Sequence, residues 1–239
     1  MNKFWNEGLE VGYYDKIVKK GLDRKRGIQS FWHIMTLNNV SKYIKRNINH
    51  LDYACGPGTL IGLFSKANST GIDISNNQII YAKDQYVGKG NFYSLADFQI
   101  QQHHNEYEII TILGLIEFLN NDEITELITK LEKCLVVGGR IVLTTPNFGG
   151  FMVILEKFLN RFGNVDYSNE HINKFNTSSL KKLNTTFINF ESEVLKFMNA
   201  SIFLAFFSHK VATSIEKLIS KLFNNYFGTL FMVILTKKG

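Results

Sequence analysis

The chain has 239 residues, of which 45% are hydrophobic and 20% are charged. This balance is typical of a soluble globular protein with a full hydrophobic core. Only two prolines are present, so rigid proline-rich linkers are excluded, and the length suits one α/β domain with additions. The formal net charge is +6, and the positive residues are not spread evenly.

A dense share of the positive residues lies in the segment "KIVKKGLDRKRG", from Lys16 to Gly27. One interpretation is the solvated face of a helix, which is the usual origin of such a run. The other is a patch for an anionic partner, such as a phosphate-bearing substrate or a membrane surface. Nucleic acid is not expected as a partner, because no aromatic residues interleave with the basic ones in the single-strand-binding manner.

The two cysteines, Cys55 and Cys134, have neither metal-ligand nor CxxC spacing. We therefore expect reduced thiols in a cytoplasmic protein. The first ten residues, "MNKFWNEGLE", do not have the apolar run of a signal peptide. The longest apolar stretches, at 200–207 and 229–235, are shorter than the roughly 20 residues that span a bilayer. Membrane contact is therefore expected to be peripheral, if it occurs.

The first half of the chain alternates between strand and helix patterns. Residues 1 to about 45 are predicted to be helical. Strands are then predicted at 48–54, 68–75, 91–99, 107–116 and 138–147, with helices at 58–66, 76–87 and 121–135. Asn121 or Asp122 is expected to cap the last of these helices. The alternation predicts a doubly wound, mostly parallel α/β sheet with helices on both faces.

The second half is predicted to add two strands. A helix is expected at 151–163, a short one at 177–183 and another at about 200–223, with strands at 187–197 and 226–238. These strands would form an antiparallel pair at the edge, giving seven strands with an antiparallel last strand. We predict a single domain over residues 1–239, with an N-terminal helical lid (1–45), a ligand-binding half (46–147) and a substrate-side half (148–239).

Three acids lie towards the carboxyl ends of predicted strands, at Asp52, Asp73 and Asp97. Ligands of open α/β sheets bind at the carboxyl ends of the strands, so these acids are candidates for binding. The nearby glycines Gly56 and Gly58 permit a tight turn and close backbone approach to a ligand. A phosphate loop is not indicated, because Gly58 is not followed by lysine. The dinucleotide-binding pattern G-x-G-x-x-G is not met either, because Ile61 stands at the position of its third glycine and Gly62 follows one residue later.

Asp73 lies about 20 residues after the glycine turn, where a carboxylate can accept both ribose hydroxyls of an adenosine. The alternative, a helix cap, is better filled by Ser75. Asp97 is placed to accept the adenine amino group, with Phe98 against the ring. An ordinary turn aspartate is the alternative at Asp97.

Five segments resemble the successive motifs of class I S-adenosylmethionine-dependent methyltransferases: "LDYACGPGTL", "GIDIS", "LADF", "LGLIEFL" and "LEKCLVVGGRIVLTTPN". The resemblance extends from about Ile48 to Asn147 and implies a Rossmann-like enzyme with S-adenosylmethionine as its cofactor. It implies that Asp52 and Gly56 lie near the methionine part, Asp73 near the ribose, and Leu113 beside the sulfonium. The predicted cofactor-binding set is completed by Trp32, Ala54, Gly58, Thr59, Ile74, Asp97 and Phe98.

The segment "EHINKF", from Glu170 to Phe175, resembles the small-molecule branch of that family, which includes quinone and sugar methyltransferases. Some of those relatives hold a metal with an acid-rich segment after strand four. Here Gly114 and Phe118 stand where an acid and a histidine would be, and only Glu117 remains, so no metal is expected. "TTPN" follows strand five, unlike the "DPPY" motif of methyltransferases that act on nucleic-acid bases.

The implied chemistry needs an aligned nucleophile, exclusion of water and, for a hydroxyl acceptor, a general base. His171 is the candidate base and Glu170 its orienting partner, with a purely structural histidine as the alternative. Tyr14, His33 and Glu117 are candidate substrate-binding residues. Trp32 would pack near the cofactor, and His33 or Gln29 would meet its carboxylate, although a core role for Trp32 is an alternative.

Phenylalanines are concentrated at 151–162 and 197–207. Core packing is one interpretation, and an apolar pocket or membrane-contacting surface is the other. The predicted function is O-methylation of a small or lipid-linked acceptor. The alternatives are N- or C-methylation of a sugar amine or quinone ring, or a non-catalytic protein that binds the cofactor and a partner.

Overall fold

The computed structural model describes residues 9–150, 152–156, 170–223 and 225–239. Its strands are β1 Asn49–Tyr53, β2 Asn68–Asp73, β3 Asn91–Ser94, β4 Tyr107–Leu113, β5 Leu135–Pro146, β6 Phe190–Phe197 and β7 Leu230–Lys237. They form a seven-stranded sheet in the order β3-β2-β1-β4-β5-β7-β6. The first five strands pair in parallel, whereas β7 runs antiparallel to both β5 and β6. The predicted sheet and its antiparallel last strand are confirmed.

Helices surround this sheet. They are α1 Tyr13–Arg24, α2 Ile28–Ser41, α3 Asn76–Gln85, α4 Asn121–Glu132, α5 Thr177–Asn184 and α6 His209–Phe223. Short 3-10 segments lie at Ile100–Gln102, Ile116–Phe118 and Ala200–Phe206. Residues 152–156 are helical, and the rest of the helix expected at 151–163 lies outside the described residues. No helix in the described ranges is long and apolar enough to cross a membrane.

Two predicted helices differ from the structure. The helix expected at 58–66 is a five-residue π-type turn, Leu60–Phe64, in which Ser65 N–H donates to Leu60 O at 2.9 Å. The helix expected at 200–223 is divided near Phe207. The division has a clear cause: Ala205 O accepts from Gly27 N–H at 2.6 Å, while His209 N–H donates to Lys25 O at 2.8 Å. A continuous α-helix would instead join His209 N–H to Ala205 O.

The start of α4 also differs by one residue. Asn120, rather than Asn121 or Asp122, is the cap, and its side chain accepts from the backbone N–H groups of Asp122 and Glu123. The Glu123 side chain accepts in return from Asn120 N–H at 2.8 Å, which completes a capping box.

The core lies on both faces of the sheet, because alternate residues of each central strand point to opposite sides. In β4, Ile110 and Ile112 pack with α4 and α5, whereas Ile109 packs with α2 on the other face. In β7, Val233 and Met232 divide in the same way. Each such fully buried side chain contributes roughly 2 kcal/mol of burial free energy.

Candidate functional site

A cavity of about 530 Å³ lies at the carboxyl ends of the central strands. The strand order reverses here, since β1 pairs with β2 on one side and β4 on the other. Twelve of the sequence-predicted site residues line it: Tyr14, Trp32, His33, Asp52, Ala54, Gly56, Thr59, Asp73, Ile74, Leu113, Glu117 and His171. Gly58, Asp97, Phe98 and Glu170 do not line it.

The turn after β1 brings bare backbone to the cavity wall. Gly56 has φ of 53°, and a Cβ added there would meet no atom within 4 Å, so open space faces it. Gly58 has φ of 76°, but a Cβ there would lie 2.6 Å from the Phe92 ring. Gly58 is therefore required by packing against β3, while Gly56 leaves room for a ligand beside the backbone.

Asp73 lies at the end of β2, and backbone donors fix its carboxylate. Oδ1 accepts from Ser75 N–H and Oδ2 from Gly56 N–H, each at 2.8 Å. Burial raises the pKa of Asp73, and these backbone hydrogen bonds partly offset the rise. Each carboxylate oxygen has two lone pairs, so both oxygens keep capacity for a further donor such as a hydroxyl.

Asp52 ends a chain of buried hydrogen bonds within the sheet. Thr111 Oγ1 donates to Asp52 Oδ1 at 2.6 Å and lies 2.9 Å from His50 Nε2, while His50 Nδ1 lies 3.0 Å from Ser69 Oγ. Since the Thr111 proton goes to Asp52, His50 must donate from Nε2 and accept at Nδ1. Burial lowers the pKa of His50 to about 3 and raises that of Asp52 to about 7. The network thus orients Asp52 without supplying a positive charge.

The N-terminal helix is joined to the glycine turn through Asp15, which is fully buried. Its carboxylate accepts from Thr59 Oγ1 at 3.1 Å, from Tyr81 at 2.8 Å and from the Tyr86 hydroxyl. Lys19 Nζ lies 2.7 Å away and pairs with it. Asp15 therefore connects α1 both to α3 and to a residue of the cavity wall.

Helix α2 supplies the facing wall of the cavity. Trp32 and His33 are partly buried and line it, and the His33 ring lies 5.1 Å from that of Tyr14 in an edge arrangement. The surrounding protein lowers the pKa of His33 to about 4, so its imidazole is neutral at pH 7. Gln29 also lines the cavity and donates to Tyr13 OH at 3.0 Å.

Glu117 follows β4 and is 4% exposed. Desolvation raises its pKa to about 7. Among the described residues, Oε2 has no hydrogen-bond partner. The Glu117 carbonyl accepts from Ile172 and Asn173 N–H, each at 2.9 Å, and thereby holds the loop after Glu170 against the end of β4.

That loop carries His171, whose Nδ1 lies 3.0 Å from Glu156 Oε1. Its ring packs 5.0 Å from Phe118 and 5.4 Å from Phe148, measured between centroids. Burial lowers the pKa of His171, and the nearby Glu156 carboxylate partly offsets this. The hydrogen-bonded partner of Nδ1 is Glu156. Glu170, which was predicted to be the orienting partner, has only a smaller electrostatic effect on the pKa of His171.

The predicted adenine residues lie beyond Leu95, where the cavity meets the turn after β3. Asp97 is exposed, and its Oδ2 accepts from Ser94 Oγ at 2.6 Å. Phe98 is buried and stacks on His103, with centroids 4.4 Å apart.

Sequence reasoning missed Asp15, His50, Thr111 and Glu156. His50 carried a readable signal, because it lies two residues before Asp52 in a strand and so shares its face. Thr111 pairs with Asp52 across β1 and β4, which depends on the register of the two strands. Glu156 and Asp15 have no local signal, since their partners are 15 and 44 residues away in the chain.

Residues 29–191 match the model of a family described as a methyltransferase domain. A search of curated proteins found no match to the chain. Among solved structures, a SAM-dependent methyltransferase from Archaeoglobus fulgidus is similar, with a TM-score of 0.61 and 19% identity. That similarity covers 94% of this chain and 100% of the other.

Two further structures are similar. The plantazolicin methyltransferase BpumL, in complex with SAH, has a TM-score of 0.62 and 18% identity over 100% of this chain and 94% of its own. A TehB-like SAM-dependent methyltransferase from Corynebacterium glutamicum has a TM-score of 0.53 and 15% identity, over 84% of this chain and 86% of its own. At these identities, the structural likeness establishes the fold alone.

Proposed function

Since the chain belongs to the class I S-adenosylmethionine-dependent methyltransferases, enzymes whose cofactor is S-adenosylmethionine, we propose that it methylates a hydroxyl of a small or lipid-linked acceptor. When bound, the cofactor supplies a methyl group on an already activated sulfonium. The protein must orient the acceptor, exclude water and accept a proton. The observation that carries the proposal is the His171–Glu156 pair in the wall of the cavity that Asp73 also lines.

The pair has the properties of a general base. Because burial lowers the pKa of His171, its imidazole is neutral near pH 7 and can accept the acceptor's hydroxyl proton. Glu156, bonded to Nδ1, fixes the ring and stabilises the positive charge that proton uptake creates. Glu170 is proposed to add a weaker electrostatic contribution of the same sign.

The proposed cofactor contacts follow from the cavity wall. Asp73 would accept the ribose hydroxyls with its remaining lone pairs, and Gly56 and Ala54 would bring backbone close to the methionine part, near Asp52. Trp32 and Leu113 would pack against the cofactor, with Thr59 and Ile74 completing the wall. Gly58 supports this turn by packing, and the adenine contacts of Asp97 and Phe98 stay a prediction.

A nitrogen acceptor is the second candidate, and Glu117 favours it. Its pKa of about 7 means that protonated and ionised forms coexist near neutral pH. An amine acceptor that arrives beside this buried carboxyl as an ammonium would be held by the ionised form. The carboxylate would then accept one ammonium proton, which leaves the nitrogen lone pair free to attack the methyl carbon. Tyr14 and His33, on the opposite wall, would complete the acceptor site.

The test of the proposal is transfer of an isotopically labelled methyl group from S-adenosylmethionine to a metabolite and lipid extract. Mass spectrometry of the labelled product identifies the acceptor atom. A labelled ether supports the first candidate and a labelled amine supports the second, whereas a labelled ester or a labelled carbon–methyl bond contradicts both. Absence of any labelled product also contradicts both.

Variants then test the residue roles. His171→Gln is expected to lower kcat by roughly 100-fold or more, because general bases typically contribute that much. The affinity of this variant for S-adenosylhomocysteine should change by less than about twofold, because His171 is proposed to take the acceptor's proton and not to bind the cofactor. Glu156→Gln should move the acidic limb of kcat/KM to lower pH, because the carboxylate raises the pKa of His171. Glu170→Gln is the matched control and should shift that limb less.

A further inference from the structure

Helix α6 has an apolar face that the other described residues do not cover. Ala212 and Glu216 point inward and are buried. Val211, Leu218 and Leu222 are exposed, and their spacing of seven and four residues puts them along one side of the helix. Leu222 is 65% exposed. A helix normally buries its apolar side chains against the rest of the protein. The exposed apolar side chains of α6 therefore indicate a surface for a partner.

Aromatic side chains extend this apolar face at both ends of α6. Before the helix, Phe206 and Phe207 are 60% and 76% exposed, with their rings 5.1 Å apart. At the other end, Phe223, the last residue of α6, and Tyr226 are exposed, and the Phe227 ring contacts both of their rings. We call the exposed side chains of residues 206–223, together with Tyr226 and Phe227, the aromatic–lysine surface.

A third side of α6 is basic. Lys210, Lys217 and Lys221 are exposed and also recur at seven and four residues, so they align beside the apolar stripe. The single acid of the helix, Glu216, is buried and accepts from the backbone of Met198 and Asn199. The exposed part of α6 is therefore apolar and positive.

The basic segment near the N-terminus ends against this surface. Lys25 O accepts from His209 N–H at 2.8 Å, and Gly27 N–H donates to Ala205 O at 2.6 Å. These bonds fix the exposed Arg24, Lys25 and Arg26 next to the two phenylalanines that precede α6. The basic run and the phenylalanine-rich run, more than 170 residues apart in sequence, thus form one surface.

We propose that the aromatic–lysine surface binds a bilayer containing anionic phospholipids, with apolar side chains entering the headgroup region and basic ones contacting the phosphates. Exposed aromatic and leucine side chains flanked by lysines are the pattern of helices that lie in the membrane interface. A second copy of the chain is the less suitable occupant, because a two-fold contact would bring the same lysines face to face. The inference goes beyond methyl transfer and does not depend on it.

The experiment is co-sedimentation of the full chain with vesicles of phosphatidylcholine alone and of an equal mixture with phosphatidylglycerol. The protein is expected to bind the mixed vesicles, to bind phosphatidylcholine more weakly, and to be released as salt concentration rises. Binding to neither vesicle overturns the proposal. Equal binding to both, unaffected by salt, overturns its electrostatic part and with it the proposal.

Two variants locate the surface. Phe206→Ser with Phe207→Ser, and Lys210→Gln with Lys217→Gln and Lys221→Gln, should each weaken partition to mixed vesicles by about tenfold or more. Matched controls are Val87→Ser with Ile188→Ser, which are 81% and 76% exposed elsewhere, and Lys42→Gln with Lys45→Gln and Lys89→Gln. The controls should bind as the wild type does.

Folding and oligomeric state are checked on the same samples. Each variant should keep the wild-type melting temperature and affinity for S-adenosylhomocysteine, so that loss of vesicle binding is not loss of fold. Sedimentation velocity should show the same mass for wild type and variants. A wild-type dimer that the phenylalanine variant dissociates would assign the surface to a second copy and overturn the proposal.

Discussion

At the scale of single residues, Ala54 has a backbone conformation that its side chain disfavours. Its φ is 61°, in the left-handed region, although it carries a Cβ. This conformation costs an L residue roughly 1 kcal/mol relative to glycine. Ala54 lies in the turn after β1 and lines the cavity, so this strain lies beside the proposed cofactor contacts.

We therefore expect Ala54→Gly to raise the free energy of unfolding by roughly 0.5 kcal/mol, since strain relief slightly exceeds the added entropy of the unfolded chain. Urea unfolding of the ligand-free protein measures it. The matched control is Ala96→Gly, in the turn after β3, where φ is not positive. In the Ala96→Gly variant, the free energy of unfolding should fall by about 0.5–1 kcal/mol. Equal losses in the two variants would contradict the strain at Ala54.

Residue-level predictions from sequence succeeded where strand topology brings residues together. Asp52 and Asp73 lie at the ends of β1 and β2, and Glu117 follows β4. All three line one cavity, because the carboxyl ends of parallel strands meet at one edge. The partner of His171 could not be predicted in this way. Glu156 reaches it from the helical residues 152–156, and their position over the loop depends on tertiary packing rather than on any local pattern.

At the scale of elements, α1 depends on one buried carboxylate. Asp15 accepts from Thr59, from Tyr81 of α3 and from Tyr86, which directly follows α3, and it pairs with Lys19. Removing a buried charge partner usually costs about 3 kcal/mol, because the remaining donors lose their acceptor. The same bonds support Thr59 in the cavity wall, so stability of α1 and affinity for the cofactor should be coupled.

Asp15→Asn is expected to lower the free energy of unfolding by about 3 kcal/mol and to weaken binding of S-adenosylhomocysteine. Hydrogen exchange should show reduced protection in α1, and calorimetry should report the affinity. Thr59→Val removes only the bond to the cavity wall and should affect affinity more than stability. The exposed Asp23→Asn, on the same helix, is the control, and a loss equal to that of Asp15→Asn would contradict the coupling.

Helix α4 allows a direct comparison of sequence and structure. Asn120 forms the capping box with Glu123, whereas the sequence pattern favoured Asn121 or Asp122. Asn120→Ala should cost about 1 kcal/mol in urea unfolding, because two backbone donors lose their acceptor. Asn121→Ala, one residue later, should cost less than about 0.5 kcal/mol. A larger loss for Asn121→Ala than for Asn120→Ala would contradict Asn120 as the cap and support the residue that the sequence predicted.

The elements themselves were largely predictable, and their ends were not. Apolar periodicity located all seven strands, because each central strand buries alternate residues on both faces. The division of the helix expected at 200–223 was not predictable. It arises because Ala205 O and His209 N–H, which would bond to each other in a continuous helix, bond instead to Gly27 N–H and Lys25 O. Competition from a segment remote in sequence leaves no trace in local periodicity.

At the scale of the whole molecule, buried histidines and buried carboxyls shift in opposite directions. Burial lowers the pKa of His50 to about 3 and that of His33 to about 4. It raises the pKa of Asp52 and of Glu117 to about 7. The pKa of His171 is also lowered and that of Asp73 is also raised. The molecule therefore contains two sets of groups with opposing effects on its acid stability.

The sign of each set follows from which state binds more protons. A histidine with a lowered pKa contributes stability above about pH 6.5, and this stability is lost as the pH falls. A carboxyl with a raised pKa contributes stability below its ordinary value near 4, and this is lost as the pH rises towards 7. Between about pH 4.5 and 6.5 the two sets oppose each other, so the unfolding free energy should be nearly flat.

Glu117→Gln removes one carboxyl from this balance and leaves the histidines in place. The variant should gain stability with rising pH, by about 1.4 kcal/mol per unit between roughly pH 4.5 and 6.5, because its unfolded state then binds one more proton than its folded state. Urea unfolding of the ligand-free protein at several pH values measures the slope. Glu191→Gln, exposed on β6, should keep the flat wild-type profile. Parallel profiles for wild type and Glu117→Gln would show that Glu117 does not carry a buried proton, and would remove the basis for its role beside the acceptor.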